Sequence, residues 1–238
     1  MKLLAFETAT EACSVALYLD GQVRERFEIA PRRHAELALP WADALLAEAG
    51  IARAQLDAVA VGRGPGAFTG VRLAIALAQG IALALDRPVV PVSTLAVLAA
   101  AAAGGPANIL ACIDARMGEV YAGAFVRDGE TLAALDDERV LAPGAVVLPV
   151  APDGAWQGLG TGFAAAGGLL GERLGASLEC VDATALPRAA DLARLAAAAF
   201  ARGQALAPER VEPAYLRDNV ALTLEQQQAL RAAPGDPG

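Results

Sequence analysis

Leu3-Leu-Ala-Phe-Glu7-Thr-Ala-Thr-Glu-Ala-Cys13-Ser-Val-Ala-Leu-Tyr-Leu-Asp20-Gly21 and Ile109-Leu-Ala-Cys-Ile-Asp114-Ala-Arg-Met-Gly-Glu119-Val-Tyr-Ala-Gly-Ala-Phe-Val-Arg-Asp128-Gly129 are two versions of one phrase. Each is an apolar run ending in a carboxylate, a polar turn, a second apolar run and Asp-Gly. The acids lie 114 − 7 = 107 positions apart and the closing glycines 129 − 21 = 108. Apolar runs bounded by Gly and Asp turns read as strands, and Asp-Gly after a strand signals a hairpin. A strand–acid–hairpin unit repeated at half-chain spacing predicts two related lobes facing one another across a cleft.

Working outward, Lys2–Glu7, Cys13–Leu19 and Val23–Ile29 read as a three-strand meander. A helix is expected from His34 to Ala49, with Gly50 as its C-cap and Pro40 starting or kinking it. Leu56–Val61 reads as a strand, 62–70 as a loop, Val71–Leu85 as a helix, Pro88–Val92 as a strand and Thr94–Ala103 as a helix. That order places a mixed sheet between helices, an α/β arrangement. Gly104-Gly105-Pro106 is the expected hinge, giving a first lobe over 1–103 and a second over 106–238. The meander recurs at Asn108–Ile113, Glu119–Val126 and Thr131–Leu141, followed by a strand near Ala155–Leu159 and a helix from Ala189 to Arg202 ahead of Gly203. The tail from Ala232 is rich in Pro and Gly and is expected to fray.

A chain of 238 residues with 55% apolar and 19% charged side chains has ample core for such a fold. The apolar stretch Val71–Leu85 falls slightly short of a membrane span, and the N-terminus runs into a strand rather than a signal peptide. Cys13, Cys112 and Cys180 lack metal-ligand spacing and read as small buried hydrophobes of a reducing, cytoplasmic compartment. The net charge is −8. Gripping nucleic acid alone ordinarily calls for a basic surface, so a protein partner fits this chain better.

Candidate chemistry is sparse. Gly62-Arg-Gly64-Pro-Gly66-Ala-Phe-Thr69-Gly70 leads a strand into a helix N-terminus, where free N–H groups suit an anion. It is neither a P-loop nor a dinucleotide fingerprint, and a plain turn fits as well. Gly158–Gly162 reads as a tight strand–helix turn. Glu7 and Asp114 are a candidate pair for holding a metal and a nucleotide between the lobes. Alternatively, each acid simply bonds the turn after it, which the thin metal inventory favours. His34, the single histidine, sits in an arginine-rich helix start and reads as solvated rather than catalytic. No metal site and no catalytic residue is expected. Residues 71–85 are apolar nearly all round, interrupted by Arg72 and Gln79. A sheet-covering helix needs only one apolar stripe. The surplus points to a subunit interface of Leu37, Trp41 and Leu45 with Arg72, Ile75, Leu77 and Gln79.

Glu7–Leu17, Gly62–Arg72, Ile113–Tyr121 and Glu212-Pro-Ala-Tyr-Leu-Arg-Asp-Asn-Val220 together resemble the bacterial TsaB (YeaZ) family of tRNA threonylcarbamoyladenosine biosynthesis proteins, over nearly the whole chain to about Val220. The resemblance implies an actin/Hsp70-like fold of two ribonuclease-H-like lobes. It implies TsaD as partner, the catalytic paralogue that transfers threonylcarbamoyl to the adenosine beside the anticodon, with the ATPase TsaE in the same assembly. TsaD carries a His-rich metal motif where this chain has Pro91-Val-Ser-Thr-Leu-Ala-Val-Leu98. The family is therefore read as a non-catalytic scaffold that pairs with TsaD through first-lobe helices, forms a homodimer alone, and meets tRNA only within the complex. An Asp is usual where Glu7 stands here. A glycoprotease-like metallopeptidase and an ATP-dependent kinase with nucleotide bound between the lobes are the rival readings.

Overall fold

The computed structural model describes residues 1–102, 104–129, 131–150 and 154–217. The first meander is β1 (Lys2–Glu7), β2 (Ala12–Leu19) and β3 (Gln22–Ile29). After α1 (His34–Ala49) comes β4 (Ala58–Gly62), then α2 (Phe68–Leu85), β5 (Val89–Val92) and α3 (Thr94–Ala100). The five strands form one sheet in the order β3-β2-β1-β4-β5. The meander is antiparallel, and β4 and β5 join it in parallel.

The second lobe repeats this plan. β6 (Asn108–Arg116), β7 (Glu119–Asp128) and β8 (Thr131–Ala134) form the meander, while β10 (Trp156–Leu159) and β11 (Leu178–Asp182) add in parallel beside β6. The order β11-β10-β6-β7-β8 mirrors the first sheet strand for strand. The expected strand Thr131–Leu141 is broken at Ser-free, acidic Asp136-Asp137, and its second part, β9 (Arg139–Leu141), pairs with the start of β7 instead. No counterpart of α1 occurs among the described residues of this lobe, and short α4 (Leu169–Leu174) stands near the place of α2.

The strand period of two sorts the core. In β1, Leu4 and Phe6 face α1 and α2, whereas Leu3 and Ala5 face α5 (Ala189–Ala201). In β6, Leu110 and Cys112 face the outer layer, while Ile109, Ala111 and Ile113 face α3. Helix α5, which follows β11, thus covers the first sheet, and α3, which follows β5, covers the second. Residues 189–211 accordingly pack with the first lobe, since Val211 lies in its core and Leu206 pairs with Val89. A division into 1–103 and 106–238 does not describe this return of the chain.

Helix α1 runs unbroken through Pro40, which lies on its exposed side. Gly50 closes the helix in the left-handed conformation, with Ile51 N–H reaching back to Leu46 O at 3.0 Å. Helix α2 begins three residues earlier than expected and reaches 18 residues at a hydropathy of 1.7, the length and composition of a membrane span. Its inner stripe of Val71, Ala74, Ile75, Ala78 and Ala82 is nevertheless packed on the first sheet. The 218–238 segment, including the tail from Ala232, lies outside the described residues.

Candidate functional site

Between the lobes lies a cavity of about 660 Å3. Its first-lobe wall comes from the turn after β1 (Ala9–Glu11), from Arg32 and His34, and from the start of α2; its second-lobe wall comes from Asp114–Arg116, Tyr121 and Thr161. A third wall is the segment 213–217 after α5.

The two repeated acids have parallel local roles. Glu7 Oε1 accepts from Ala9 N–H at 2.9 Å, and Asp114 Oδ1 accepts from Arg116 N–H at 2.8 Å. Each carboxylate therefore bonds the backbone two residues on. Their surroundings then diverge. Asp114 lines the cavity and pairs with its own neighbour Arg116 at 3.0 Å. Glu7 is 1% exposed and does not line the cavity. Its Oε2 accepts from Thr94 Oγ1 at 3.2 Å, and a Cβ on Gly62 would stand only 1.9 Å from that oxygen. Burial pushes the Glu7 carboxyl up to about 7, against the lowering effect of these hydrogen bonds. The structure does not bring the two acids together as a shared ligand pair.

The glycine-rich loop is shaped by contact with the tip of β1. A Cβ on Gly66 would stand 2.4 Å from Ala9 O, and one on Gly70 would stand 2.0 Å from Thr8 O. Ala67 N–H donates to Ala9 O at 2.7 Å, and Thr8 Oγ1 donates to Gly70 O at 2.7 Å. Of the loop residues singled out from the sequence, Gly66 borders the cavity, Gly64 and Gly70 are buried and Thr69 is exposed. The second lobe repeats the seam, because a Cβ on Gly160 would meet Cys112 O at 2.2 Å. These glycines are required by packing alone.

Several expectations are corrected. His34 is half-buried at the cavity, its Nε2 3.0 Å from Thr10 O and 3.2 Å from Ala12 O. Two carbonyl acceptors make Nε2 the protonated nitrogen, so this histidine ties α1 to the turn after β1 rather than facing solvent. Cys180 is exposed, in contrast to Cys13 and Cys112. Leu45 and Ile75 belong to the first-lobe core at 2% and 6% exposure, and Leu37, Trp41 and Leu77 are half-buried against it. Gln79 Nε2 donates to Pro208 O at 2.9 Å, and Arg72 donates to Tyr215 Oη from Nε at 3.1 Å and Nη2 at 2.5 Å. The outward stripe of α2 is instead Phe68, Arg72, Ala76, Gly80 and Leu83, with Leu39 of α1 also exposed.

Sequence reasoning gave no role to the segment after α5. It crosses the mouth of the cavity from lobe to lobe: Ala214 N–H donates to Arg63 O at 2.8 Å, and Arg217 Nη2 reaches Ala115 O at 3.2 Å and Glu119 at 2.5 Å. The available signal was the Pro-x-Tyr-Leu-Arg string itself, which carried part of the family resemblance. In the stretch 91–98, Ser93 caps α3 by accepting from Leu95 and Ala96 N–H, and Thr94 bonds Glu7 and Gly64. Among the described residues no three His, Cys, Asp or Glu side chains gather as a metal site.

The family model described as tRNA N6-adenosine threonylcarbamoyltransferase, TsaD, matches residues 27–224. The tRNA threonylcarbamoyladenosine biosynthesis protein TsaB of Escherichia coli K12 is 43% identical over 225 residues, covering 93% of this chain and 96% of its own. The TsaB of Haemophilus influenzae is 38% identical, with 92% and 95% covered. The solved structure of YeaZ from Pseudomonas aeruginosa superposes with a TM-score of 0.81 at 43% identity, covering 90% of this chain and 99% of that one. The paired ribonuclease-H-like sheets are thus those of the actin/Hsp70-like fold, and the chain belongs to the TsaB (YeaZ) family of tRNA threonylcarbamoyladenosine biosynthesis.

Proposed function

We propose that this protein is a non-catalytic subunit of the tRNA threonylcarbamoylation machinery. It acts in the cytoplasm with TsaD as catalytic partner and TsaE as ATPase, self-associates when TsaD is absent, and reaches tRNA only within the assembly. The observation that carries this reading is the commitment of Ser93 and Thr94 to local hydrogen bonds in the stretch where the family resemblance implies TsaD's histidine motif. A helix cap and a buried acid's partner leave no side chain there to polarise a substrate. The partner surface in this reading is the outer stripe of α2, Phe68, Ala76, Gly80 and Leu83, with Leu39 beside it. Small residues in such a stripe let a second helix approach closely, while Phe68 and Leu83 supply apolar anchors.

The test has two parts. Depletion should remove threonylcarbamoyladenosine from hydrolysed tRNA, read by mass spectrometry; normal levels would defeat the reading. The Ala76→Asp, Leu83→Asp double variant should stay folded by thermal melt yet lose both its homodimer on size-exclusion and co-purification with TsaD. Retention of both would move the interface elsewhere.

A further inference from the structure

The tip of the β6–β7 hairpin departs from ordinary turn chemistry. Arg116 pairs with Glu119, and Met117 and Gly118 form the turn between them. Arg116, Met117 and Gly118 all hold left-handed backbone, at φ 63°, 55° and 75°. A two-residue turn of this kind favours Asn or Asp ahead of Gly, because a longer side chain there crowds its own backbone. Gly118 meets that rule and Met117 does not. Packing gives no reason for the methionine either, since its side chain is 87% exposed. Its sulfur instead meets the strap that crosses the cavity mouth, with Arg217 Nη1 3.5 Å from Met117 Sδ. The same guanidinium donates from Nη2 to Ala115 O and to Glu119, and its Nε is buried with no acceptor among the described residues. A thioether is a weak acceptor. This cation therefore has donor capacity to spare beside the one atom of the turn that can gain an oxygen.

We propose that Met117 is a modification site, oxidised at sulfur by a peroxide to the sulfoxide, whose oxygen accepts from Arg217 and fastens the 213–217 strap to the second lobe. In the step the peroxide O–O bond breaks and an S–O bond forms. Sulfur gives up two electrons, and the other peroxide oxygen leaves as water for hydrogen peroxide. A buried methionine is disrupted by this change, but an exposed one at a turn loses no core contact. The gain is a strong, charge-assisted acceptor where a weak one stood. The strap's first-lobe end stays on Arg63 O through Ala214 N–H, so oxidation tightens one end of a segment already held at the other. A thiol-dependent sulfoxide reductase reverses the step by removing the oxygen as water.

The experiment treats the purified full chain with dilute hydrogen peroxide and follows two readouts, sulfoxide by peptide mass and amide hydrogen exchange of residues 214–217. Met1, half-buried against the first-lobe core, is the internal reference, and Met117 should oxidise about five-fold faster. After oxidation the strap amides should exchange about five- to ten-fold more slowly, the effect of one added hydrogen bond to a charged donor. Reductase with dithiothreitol should return the original rates. Met117→Leu should show no slowing. Arg217→Lys, which keeps a cation for Glu119 without the fork, should oxidise normally yet show no slowing. Met117→Gln, whose amide oxygen stands in for the sulfoxide, should slow exchange without oxidant. Cys180→Ser, run in parallel, removes the exposed thiol and should respond as wild type does. Melting curves confirm that each variant is folded. Unchanged or faster strap exchange in oxidised wild type, or equal slowing in Met117→Leu or Arg217→Lys, overturns the proposal.

Discussion

Glu7 offers the sharpest test of the structural reading. Its carboxyl is raised from 4.5 to about 7 by burial, so the native state holds a proton through a window in which the unfolded chain has released it. Stability therefore falls as pH rises from about 4.5 to about 7, where the native state binds more protons than the unfolded one. The full stabilising share is present below that window and is lost above it. A shift of this size corresponds to about 3 kcal/mol between the two ends. Glu7→Gln keeps the side-chain length, the acceptor for Ala9 N–H and the fit over Gly62. It replaces the oxygen facing Thr94 Oγ1 with an amide, which costs about 1 kcal/mol where the hydroxyl must reorient.

The variant should accordingly be about 1 kcal/mol less stable than wild type at pH 4 and about 2 kcal/mol more stable at pH 8. Urea unfolding of both proteins at several pH values between these limits, compared at constant m, measures the difference directly. Taking the difference cancels other titrating groups, such as Asp191 and Glu138, whose carboxyls burial also raises. A wild-type-to-variant gap that stays constant across the range would show that Glu7 titrates as an ordinary exposed acid, and the buried placement would be refuted.

Glu25→Ala should cost about 3 kcal/mol in urea unfolding, because it leaves Arg188 without its carboxylate and Ala190 N–H without an acceptor. Gly70→Ala should destabilise by about 3 kcal/mol or prevent folding, since the new methyl meets a backbone carbonyl that cannot move aside; Gly80→Ala, at an open helical position on the same helix, should instead be neutral or mildly stabilising in the same assay. A thiol reagent at pH 8 should label Cys180 alone in the native protein and all the cysteines after denaturation. Burial pushes the Cys13 thiol up to about 11 and the Cys112 thiol further; prompt native labelling of Cys112, read by peptide mass, would contradict its place in the second-lobe core.

The repeated phrase at 3–21 and 109–129 carried the architecture, because two hairpins with an acid at the same point demand two sheets with the same strand order, which is what the topology shows. Helix ends were legible where chemistry marks them, as at Gly50 and Gly203. The inward face of α2 was not. A helix apolar all round does not announce which stripe is buried, and here alanines at 74, 78 and 82 face the sheet while Leu83 faces solvent. β11 was missed because its exposed Glu179 and Cys180 give a short edge strand no apolar alternation. The burial of Glu7 was hidden because a carboxylate at a strand end reads as a ligand until Gly62 and Thr94 are seen to enclose it.

The exchange of helices between lobes was invisible for a different reason. Ala-rich α5 would pack on either sheet, and only its ends say which one it visits. At its N-terminus, Ala189 N–H is bound by Ser14 Oγ at 2.8 Å and Ala190 N–H by Glu25 Oε1 at 3.0 Å, both from the first lobe. An anion at a helix start also complements the helix dipole. Helix α3 shows the converse. Its cap Ser93 donates to Glu138, and Arg127 Nη2 holds the carbonyls of Ala99 and Ala100 at 3.0 Å, both partners coming from the second lobe. Each helix thus follows one lobe in the chain and is held by side chains of the other, at the start of α5 and at both ends of α3, so the lobes cannot part without breaking such contacts and uncovering the apolar faces between them. Buried polar groups stripped of partners are costly. A fold interlocked in this way keeps its outer α1–α2 face in one geometry.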